Sequence, residues 1–155
     1  MRNLIELNLN EGGEFVRRMA PSNEEINNFE KLLGAKLPED YLEFLRFSNG
    51  GHPELDSFLP ENADADNRWA INRFYSLGAG YEPEDLKFVY DNWKSILGER
   101  CFPIAADGGG NQLYLDMANG GCVGICIHDQ GFKRILAAES FSEFIDKLER
   151  NTEYI

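Results

Sequence analysis

The architecture of this chain is anchored by residues 37–51, Leu37-Pro38-Glu39-Asp40-Tyr41-Leu42-Glu43-Phe44-Leu45-Arg46-Phe47-Ser48-Asn49-Gly50-Gly51. Pro38 suits the first helical position, where its missing N–H would have no partner. Glu39 and Asp40 follow at the positive end of the helix dipole. Asn49-Gly50-Gly51 accepts positive φ, so we expect the helix to end there. Apolar side chains cover most of the circumference between these signals, which predicts a buried core helix; they are Tyr41, Leu42, Phe44, Leu45 and Phe47.

Length and composition predict one domain spanning residues 1–155. A chain of 155 residues can bury a core without disulfides or metals. No run approaches the ~20 apolar residues that a membrane span requires, and the polar N-terminus does not resemble a signal peptide. Three cysteines, an odd number, favour reduced thiols, so we expect a cytoplasmic protein.

The formal charge of −12 bears on the kind of partner. Nucleic acids and anionic membranes attract clustered cations, so we expect neither as a partner. Negative charge favours fast, salt-sensitive association with a basic protein. It is equally consistent with a charge that only maintains solubility, and both interpretations stay open.

Further helices are predicted from capping signals and helical spacing. A capping box at residues 22–25 starts a helix that ends at Gly34. Only a few residues separate it from the core helix, so the two are expected to form a helical hairpin. Another helix is predicted over residues 83–97, because Pro83 suits a helix start and the residues after it form an apolar stripe. A second capping box at residues 140–143 predicts a C-terminal helix.

Strands dominate the second half of the chain. Asn119-Gly120-Gly121 is a hairpin signal. Alternation over residues 5–9 hints at another strand, and Pro103 indicates a strand at a sheet edge or one that starts late. The other predicted strands cover residues 69–77, 112–116, 123–127 and 133–138. Together the elements predict an α+β fold: an antiparallel β-sheet with helices packed on one face, an N-terminal helical hairpin and a C-terminal helix.

Acidic residues are concentrated in residues 52–67, which we interpret as an ordered surface loop, and in the turn before residue 86. Nearby aromatics such as Trp69 and Tyr81 would complete an interface, because aromatic anchors ringed by charge are common in tight complexes. The candidate partner-binding residues are Glu54, Asp56, Glu61, Asp64, Asp66, Glu82, Glu84 and Asp85. Alternatively, the aromatics belong to the core and the acids only solvate the loop.

Three motifs resemble catalytic or metal sites but fit structural roles better. The glycines of Asp107–Asn111 lead into a strand rather than a helix, which favours a tight turn over a phosphate loop. Cys122 and Cys126 would stand ~13 Å apart on a strand, too far to share one zinc ion. His128 beside Asp129 has no serine in a nucleophile-elbow context. We therefore expect no catalytic residue, metal or cofactor, and a small hydrolase using His128 remains the enzymatic alternative.

Two signatures in this sequence resemble the SUKH superfamily. The first is Ile26-x-x-Phe29-Glu30-x-x-Leu33-Gly34-x-x-Leu37-Pro38-x-Asp40-Tyr41-x-x-Phe44-Leu45, followed by Asn49-Gly50-Gly51. The second is Phe102-Pro103-Ile104-Ala105-x-Asp107-Gly108-Gly109-Gly110-Asn111 with Leu113-x-Leu115-Asp116. With the sequence between them, the resemblance covers residues 22 to about 138.

The resemblance implies an α+β fold and a protein-binding role. Most bacterial members look like immunity proteins, which neutralise a cognate toxin of a contact-dependent or other polymorphic toxin system, often a nuclease. Related fungal members regulate cell-wall synthesis through protein contacts. The shared motifs carry no catalytic residues, and no toxin-contacting position is transferable because those positions vary.

The leading hypothesis is therefore a non-enzymatic cytoplasmic immunity protein whose acidic surface binds a basic toxin. The alternative is an intracellular regulatory or scaffold module of the same fold with an endogenous partner. The oligomeric state is not predicted.

Overall fold

The computed structural model describes residues 1–15, 17–64 and 66–151. Within these ranges the α-helices are α1 (Asn23–Leu33), α2 (Glu39–Phe47), α3 (Leu86–Leu97) and α4 (Phe141–Lys147). The strands are β1 (Leu55–Phe58), β2 (Trp69–Ala70), β3 (Arg73–Phe74), β4 (Cys101–Ala106), β5 (Gln112–Asp116), β6 (Cys122–Ile127), β7 (Lys133–Ala138) and β8 (Glu149–Arg150). Short 3-10 helices occupy Leu4–Leu7, Glu82–Glu84, Met117–Asn119 and His128–Gln130.

The strands form two antiparallel sheets. The larger has the order β3-β4-β5-β6-β7, and the smaller has the order β2-β1-β8. Each pair of neighbouring strands runs antiparallel in both sheets. Four helices and these sheets confirm the predicted α+β class for the described part of the chain.

Helix α2 lies in the centre of the core, as its sequence predicts. Its most deeply buried side chains are Tyr41, Leu42, Phe44 and Leu45. The ring centroid of Phe44 lies 4.7 Å from that of Phe74 in β3 and 5.4 Å from that of Phe141 in α4. Pro38 stands one position earlier than predicted, as the N-cap residue of α2. The helix thus joins the sheet to α4.

The larger sheet carries a second, smaller apolar cluster on its other face. Leu113 and Leu115 of β5 belong to the main core, so Tyr114 between them points the opposite way. Tyr114 packs there with Leu97 at the end of α3, whereas Leu86 at the start of α3 belongs to the main core. Helix α3 therefore reaches both clusters, while α1, α2 and α4 place their buried apolar residues in the main one.

The predicted strand at residues 5–9 is wrong. Leu4–Leu7 form a 3-10 helix, and the Asn3 side chain accepts a hydrogen bond from the Ile5 N–H at 3.1 Å. Leu4 and Leu7 are buried three residues apart while Ile5 is exposed. This spacing fits the three residues per turn of a 3-10 helix, which a short alternating pattern does not exclude.

The acidic segment 52–67 contains β1 and is not simply a loop. Phe58 is fully buried and lies 5.0 Å from Phe144 of α4 between ring centroids. The partners of β1 are β2 and β8, so its pairing depends on distant residues. The predicted strand at residues 69–77 is divided between the two sheets, as β2 and β3.

Pro103 does not place its strand at a sheet edge. Strand β4 begins at Cys101 and lies between β3 and β5. Its register with β5 shifts between Pro103 and Ala105. An irregular register accommodates a residue that lacks an N–H donor inside a sheet.

Candidate partner-binding surface

The predicted acidic residues of the first segment are partly neutralised by basic side chains. Glu54 forms an ion pair with Arg150 and accepts a hydrogen bond from Asn8 Nδ2 at 3.1 Å. Glu61 Oε1 lies 3.1 Å from Lys147 Nζ. Both pairs tie the acidic segment to C-terminal elements, α4 and β8. Each pair reduces the charge that these two residues can offer to a partner.

Asp56 is half-buried, and within the described residues no basic side chain forms an ion pair with it. Its Oδ1 is shielded from water and accepts no hydrogen bond within the described residues. Burial raises the pKa of this carboxyl, and its own backbone N–H opposes that effect only in part. The residue lines a cavity with His52 and Asn72. Its environment therefore disfavours the charged form, which makes Asp56 a poor source of surface charge.

Asp64 and Asp66 are the exposed acids of the first segment. The Asp64 carbonyl accepts a hydrogen bond from the Asn67 N–H at 2.9 Å, which closes a turn. Among the residues that the structure describes, no basic side chain forms an ion pair with either carboxylate. Their charge therefore remains available at the surface.

The predicted acids of the second acidic segment, residues 82–85 before α3, also differ in exposure and pairing. Glu82 is exposed, whereas Glu84 Oε2 lies 3.3 Å from Arg73 and 3.7 Å from Arg18. Asp85 is the N-cap residue of α3. Within residues 1–15, 17–64 and 66–151, the predicted acids that are exposed and unpaired are thus Asp64, Asp66 and Glu82.

A group of ion pairs that the sequence did not predict lies behind the second acidic segment. We call Glu11, Arg18, Arg73 and Glu84 the Arg73 cluster. Glu11 lies 3.0 Å from both Arg73 and Arg18, and Glu84 contacts the same two cations. The Arg73 side chain is 7% exposed. Burial alone would raise the pKa of Glu11, but the hydrogen bonds and charge of Arg73, with the charge of Arg18, hold that pKa below its usual value.

Only one sequence signal could have indicated this cluster. Arg73 stands among apolar residues, between Ile71 and Tyr75. A charge in such a context is expected to be buried with a partner, because an unpaired buried charge is costly. The identity of the partners could not be predicted, because they come from distant segments.

His52 extends the Arg73 cluster. Arg73 Nη1 lies 3.0 Å from His52 Nε2, and His52 Nδ1 lies 2.6 Å from the Asn72 carbonyl oxygen. A guanidinium only donates, so Nε2 accepts and Nδ1–H donates to Asn72. The imidazole is therefore oriented on both sides.

The Asn49-Gly50-Gly51 turn supports Arg18 from the core side. The Asn49 side chain donates to the Leu77 carbonyl and accepts from the Leu77 N–H, both at 2.8 Å. Ser76 Oγ donates to the Asn49 carbonyl and accepts from Arg18 Nη1, both at 2.6 Å. Gly50 has a φ of +83°, and a Cβ there would lie 2.5 Å from Ser76 Oγ. This motif therefore has a structural role.

The Asp107–Asn111 segment is a turn that is stabilised by hydrogen bonds to its own side chains. Asp107 Oδ1 accepts hydrogen bonds from the N–H groups of Gly109 at 2.8 Å and Asn111 at 2.9 Å. His128 Nε2 lies 2.7 Å from the Gly109 carbonyl oxygen, and the His128 N–H donates to Asn111 Oδ1 at 3.0 Å. The His128 residue thus connects two turns. The Asp107 carboxylate already accepts hydrogen bonds from the backbone N–H groups that a phosphate would need.

The three cysteines are free thiols in environments that favour protonation. Burial raises the pKa of Cys101 to about 12, and it also raises the pKa values of Cys122 and Cys126. Within the described ranges, no group of three or more His, Cys, Asp or Glu side chains is arranged to hold a metal ion. The helices of the described residues are too short or too polar to cross a bilayer.

Comparison with known proteins agrees with the resemblance seen in the sequence. The chain is 26% identical over 146 residues to the SPbeta prophage-derived uncharacterized protein YokK of Bacillus subtilis (strain 168), covering 82% of this chain and 74% of that protein. The SMI1 / KNR4 family (SUKH-1) matches residues 20–147. This match includes both signatures and confirms the predicted superfamily. The chain belongs to the SMI1 / KNR4 family (SUKH-1).

Proposed function

We propose that this protein is a cytoplasmic immunity protein that binds and neutralises a cognate toxin domain of a contact-dependent or polymorphic toxin system. The observation that carries the proposal is the family match over residues 20–147, because the family includes immunity proteins. The formal charge of −12 supports a basic partner. The catalytic cleft of a nuclease is such a surface, because it must attract the phosphate backbone.

In this proposal the protein neutralises the toxin by covering the toxin's active site and does not catalyse a reaction itself. Asp64, Asp66 and Glu82 supply exposed negative charge, which steers a basic domain toward the protein and lies opposite its cations once bound. The Arg73 cluster and the ion pairs of Glu54 and Glu61 hold the backbone behind these residues. A surface held in place in this way loses less conformational entropy on binding than a mobile one.

The test is co-expression in a bacterial host with the toxin domain encoded beside this gene. Protection of growth is expected, and the purified proteins should associate more slowly as NaCl rises from about 50 to about 300 mM, because salt screens charge steering. Asp64→Lys combined with Asp66→Lys should slow association. The matched control, Glu99→Lys with Asp129→Lys, makes the same charge change at two other exposed acids and should have a smaller effect.

Two results would contradict parts of the proposal. Association rates that are unchanged in the Asp64 and Asp66 variant would remove that loop from the interface. Failure to protect growth or to bind the toxin domain, together with stable capture of an endogenous cellular protein, would favour the regulatory or scaffold alternative.

A further inference from the structure

A small cleft lies between α1 and the start of α3. Its volume is about 200 Å³, and its surface includes the buried side chains of Phe29 and Leu77. Leu32, which is 47% exposed, forms an apolar wall. Pockets for drug-sized ligands occupy about 300–1,000 Å³. The cleft is therefore suited to a single side chain rather than to a cofactor.

Two carboxylates at the rim are held by helix-capping hydrogen bonds. Glu25 Oε1 accepts from the Ser22 N–H at 2.9 Å, within the capping box of α1. Asp85 Oδ1 accepts from the N–H groups of Gly78 at 3.2 Å and Lys87 at 3.4 Å. In the described part of the chain, Glu25 Oε2 and Asp85 Oδ2 accept no hydrogen bond. Each carboxylate thus has a fixed orientation and one oxygen left for a partner.

The surroundings of the cleft favour a cation. Gly78 has a φ of +74°, and a Cβ there would collide with the Glu25 carboxylate, so glycine allows Glu25 to lie at the rim. Two exposed acids add negative charge nearby: Glu24 precedes Glu25 in the chain, and the Glu82 carbonyl accepts a hydrogen bond from the Asp85 N–H at 3.0 Å. Lys87 also lines the cleft, but its long exposed side chain can keep the ammonium in water while the stem covers apolar surface.

We propose that this cleft binds an arginine side chain of the partner protein. The inference rests on the proposed function for the identity of that partner, and it adds where and through which residue type the partner docks. A guanidinium has flat, weakly hydrated faces that pack against Leu32 and Leu77, while its N–H groups donate to Glu25 and Asp85. A lysine ammonium is a strongly hydrated point charge without a flat face, so it fits the apolar wall less well.

The first experiment uses a probe that does not depend on the toxin. Arginine amide and lysine amide are each titrated into the protein, and backbone amide shifts are followed by ¹H–¹⁵N NMR. Saturable shifts at Leu32, Gly78 and Asp85 are expected with arginine amide, and weaker ones with lysine amide. Absence of saturable shifts at these amides would overturn the inference.

Charge-removing variants separate the proposed docking role from helix capping. Glu25→Gln combined with Asp85→Asn keeps an oxygen acceptor at both caps but removes both charges. Arginine amide binding and toxin-domain association should each weaken by about tenfold or more, as expected for lost charge-assisted hydrogen bonds. Asp129→Asn with Glu139→Gln makes the same charge change at exposed positions elsewhere and is expected to have little effect.

The apolar wall has its own matched pair of variants. Leu32→Lys places a competing cation at the cleft, whereas Leu136→Lys makes the same exchange at another exposed leucine, in β7. Only Leu32→Lys should abolish the arginine amide shifts. Equal effects of both variants would overturn the inference.

The two proposals can fail separately. If the toxin domain is neutralised equally well by wild type and by the Glu25 and Asp85 double variant, the cleft inference is wrong and the proposed function stands. If arginine amide saturates the cleft but no toxin domain is bound, the proposed function fails while the cleft remains an arginine site.

Discussion

The acidic side chains around Arg73 and those of the exposed loop have the same chemistry but opposite environments. Glu11 and Glu84 each contact two cations, and the Arg73 side chain between them is nearly inaccessible. Asp64 and Asp66 are exposed and have no basic partner within the described residues. The first pair therefore contributes to stability, and the second contributes to the surface field.

This difference shows why net charge alone does not locate an interface. A formal charge of −12 counts every acid equally. The structure divides the predicted acids into those that are paired, such as Glu84, and those that face water, such as Asp66. Variants of the paired acids should consequently change the free energy of unfolding, whereas variants of the exposed acids should change the rate of association with a basic partner.

The largest loss of stability is expected from Gly50→Ala, which disturbs the turn that supports Arg18. The new Cβ would lie 2.5 Å from Ser76 Oγ and 2.7 Å from the Phe74 carbonyl oxygen, in a backbone with φ of +83°. Overpacking and backbone strain together should lower the free energy of unfolding by about 3 kcal/mol or more, measured by urea denaturation.

Gly80→Ala is the control for this change. Gly80 has a similar φ of +76°, but no atom lies within 4 Å of a Cβ built there. Only strain should remain, at about 1 kcal/mol. Equal losses for Gly50→Ala and Gly80→Ala would show that the close approach of Gly50 to Ser76 is unimportant.

A smaller loss is expected from Arg73→Met, which removes the buried cation and leaves Glu11 and Glu84 with Arg18 alone. Breaking a fully buried pair costs about 3–5 kcal/mol; because both acids are partly exposed, we expect about 2–3 kcal/mol by urea denaturation. Arg100→Met removes an exposed arginine and should change stability by no more than about 0.5 kcal/mol. If the two variants lose similar stability, the Arg73 cluster contributes nothing.

The smallest expected effects are on the pH dependence of stability, and they have opposite signs at Glu11 and Asp56. The folded-state pKa of Glu11 lies below its ordinary value of 4.5, so its stabilisation is present above that pH and is lost as pH falls through the folded-state pKa. Glu11→Gln should therefore lower stability at pH 7 and flatten the loss in acid. The effect should be about 0.5–1 kcal/mol, because the pairs are partly exposed.

At Asp56 the folded-state pKa is raised above its ordinary value of 3.8, so ionisation costs stability above the folded-state pKa and nothing below pH 3.8. Asp56→Asn should thus increase stability at pH 7 and leave it unchanged in strong acid. Unfolding curves collected across this pH range test both variants. A gain from Asp56→Asn that does not depend on pH would rule out ionisation as its cause.

Local sequence signals predicted the elements that local chemistry determines. Ser22 and Glu25 form the predicted capping box of α1. Ser140 caps α4 at the predicted position, but the Glu143 side chain accepts from the Glu139 N–H instead of completing a capping box with Ser140. Helix α2 ends at Phe47, and its C-cap residue Ser48 directly precedes the predicted stop signal Asn49-Gly50-Gly51, in which a positive φ and close packing both require glycine at Gly50. In each case, the interacting groups are near one another in the chain or are constrained by backbone sterics.

Features that depend on distant residues could not be predicted in the same way. Strand β1 lies in an acidic segment, and one of its two partners, β8 at Glu149–Arg150, is far from it in sequence. The Arg73 cluster brings together residues from separate segments of the chain. The sequence therefore shows that Glu84 is negatively charged, but it does not predict that Glu84 is paired with Arg73. The partner-binding assignment of Asp64, Asp66 and Glu82 remains a prediction.

The position of Glu11 and Arg18 affects where this protein can be shortened. The family match begins at residue 20 and ends at residue 147, yet four leucines outside it are buried in the main core: Leu4, Leu7, Leu9 and Leu148. A fragment cut at the family boundaries would open the hydrophobic interior at two places and remove both Glu11 and Arg18 from beside Arg73. A polypeptide made for recombinant work should therefore begin upstream of residue 20, where the family match begins, and include Leu4 to Arg18.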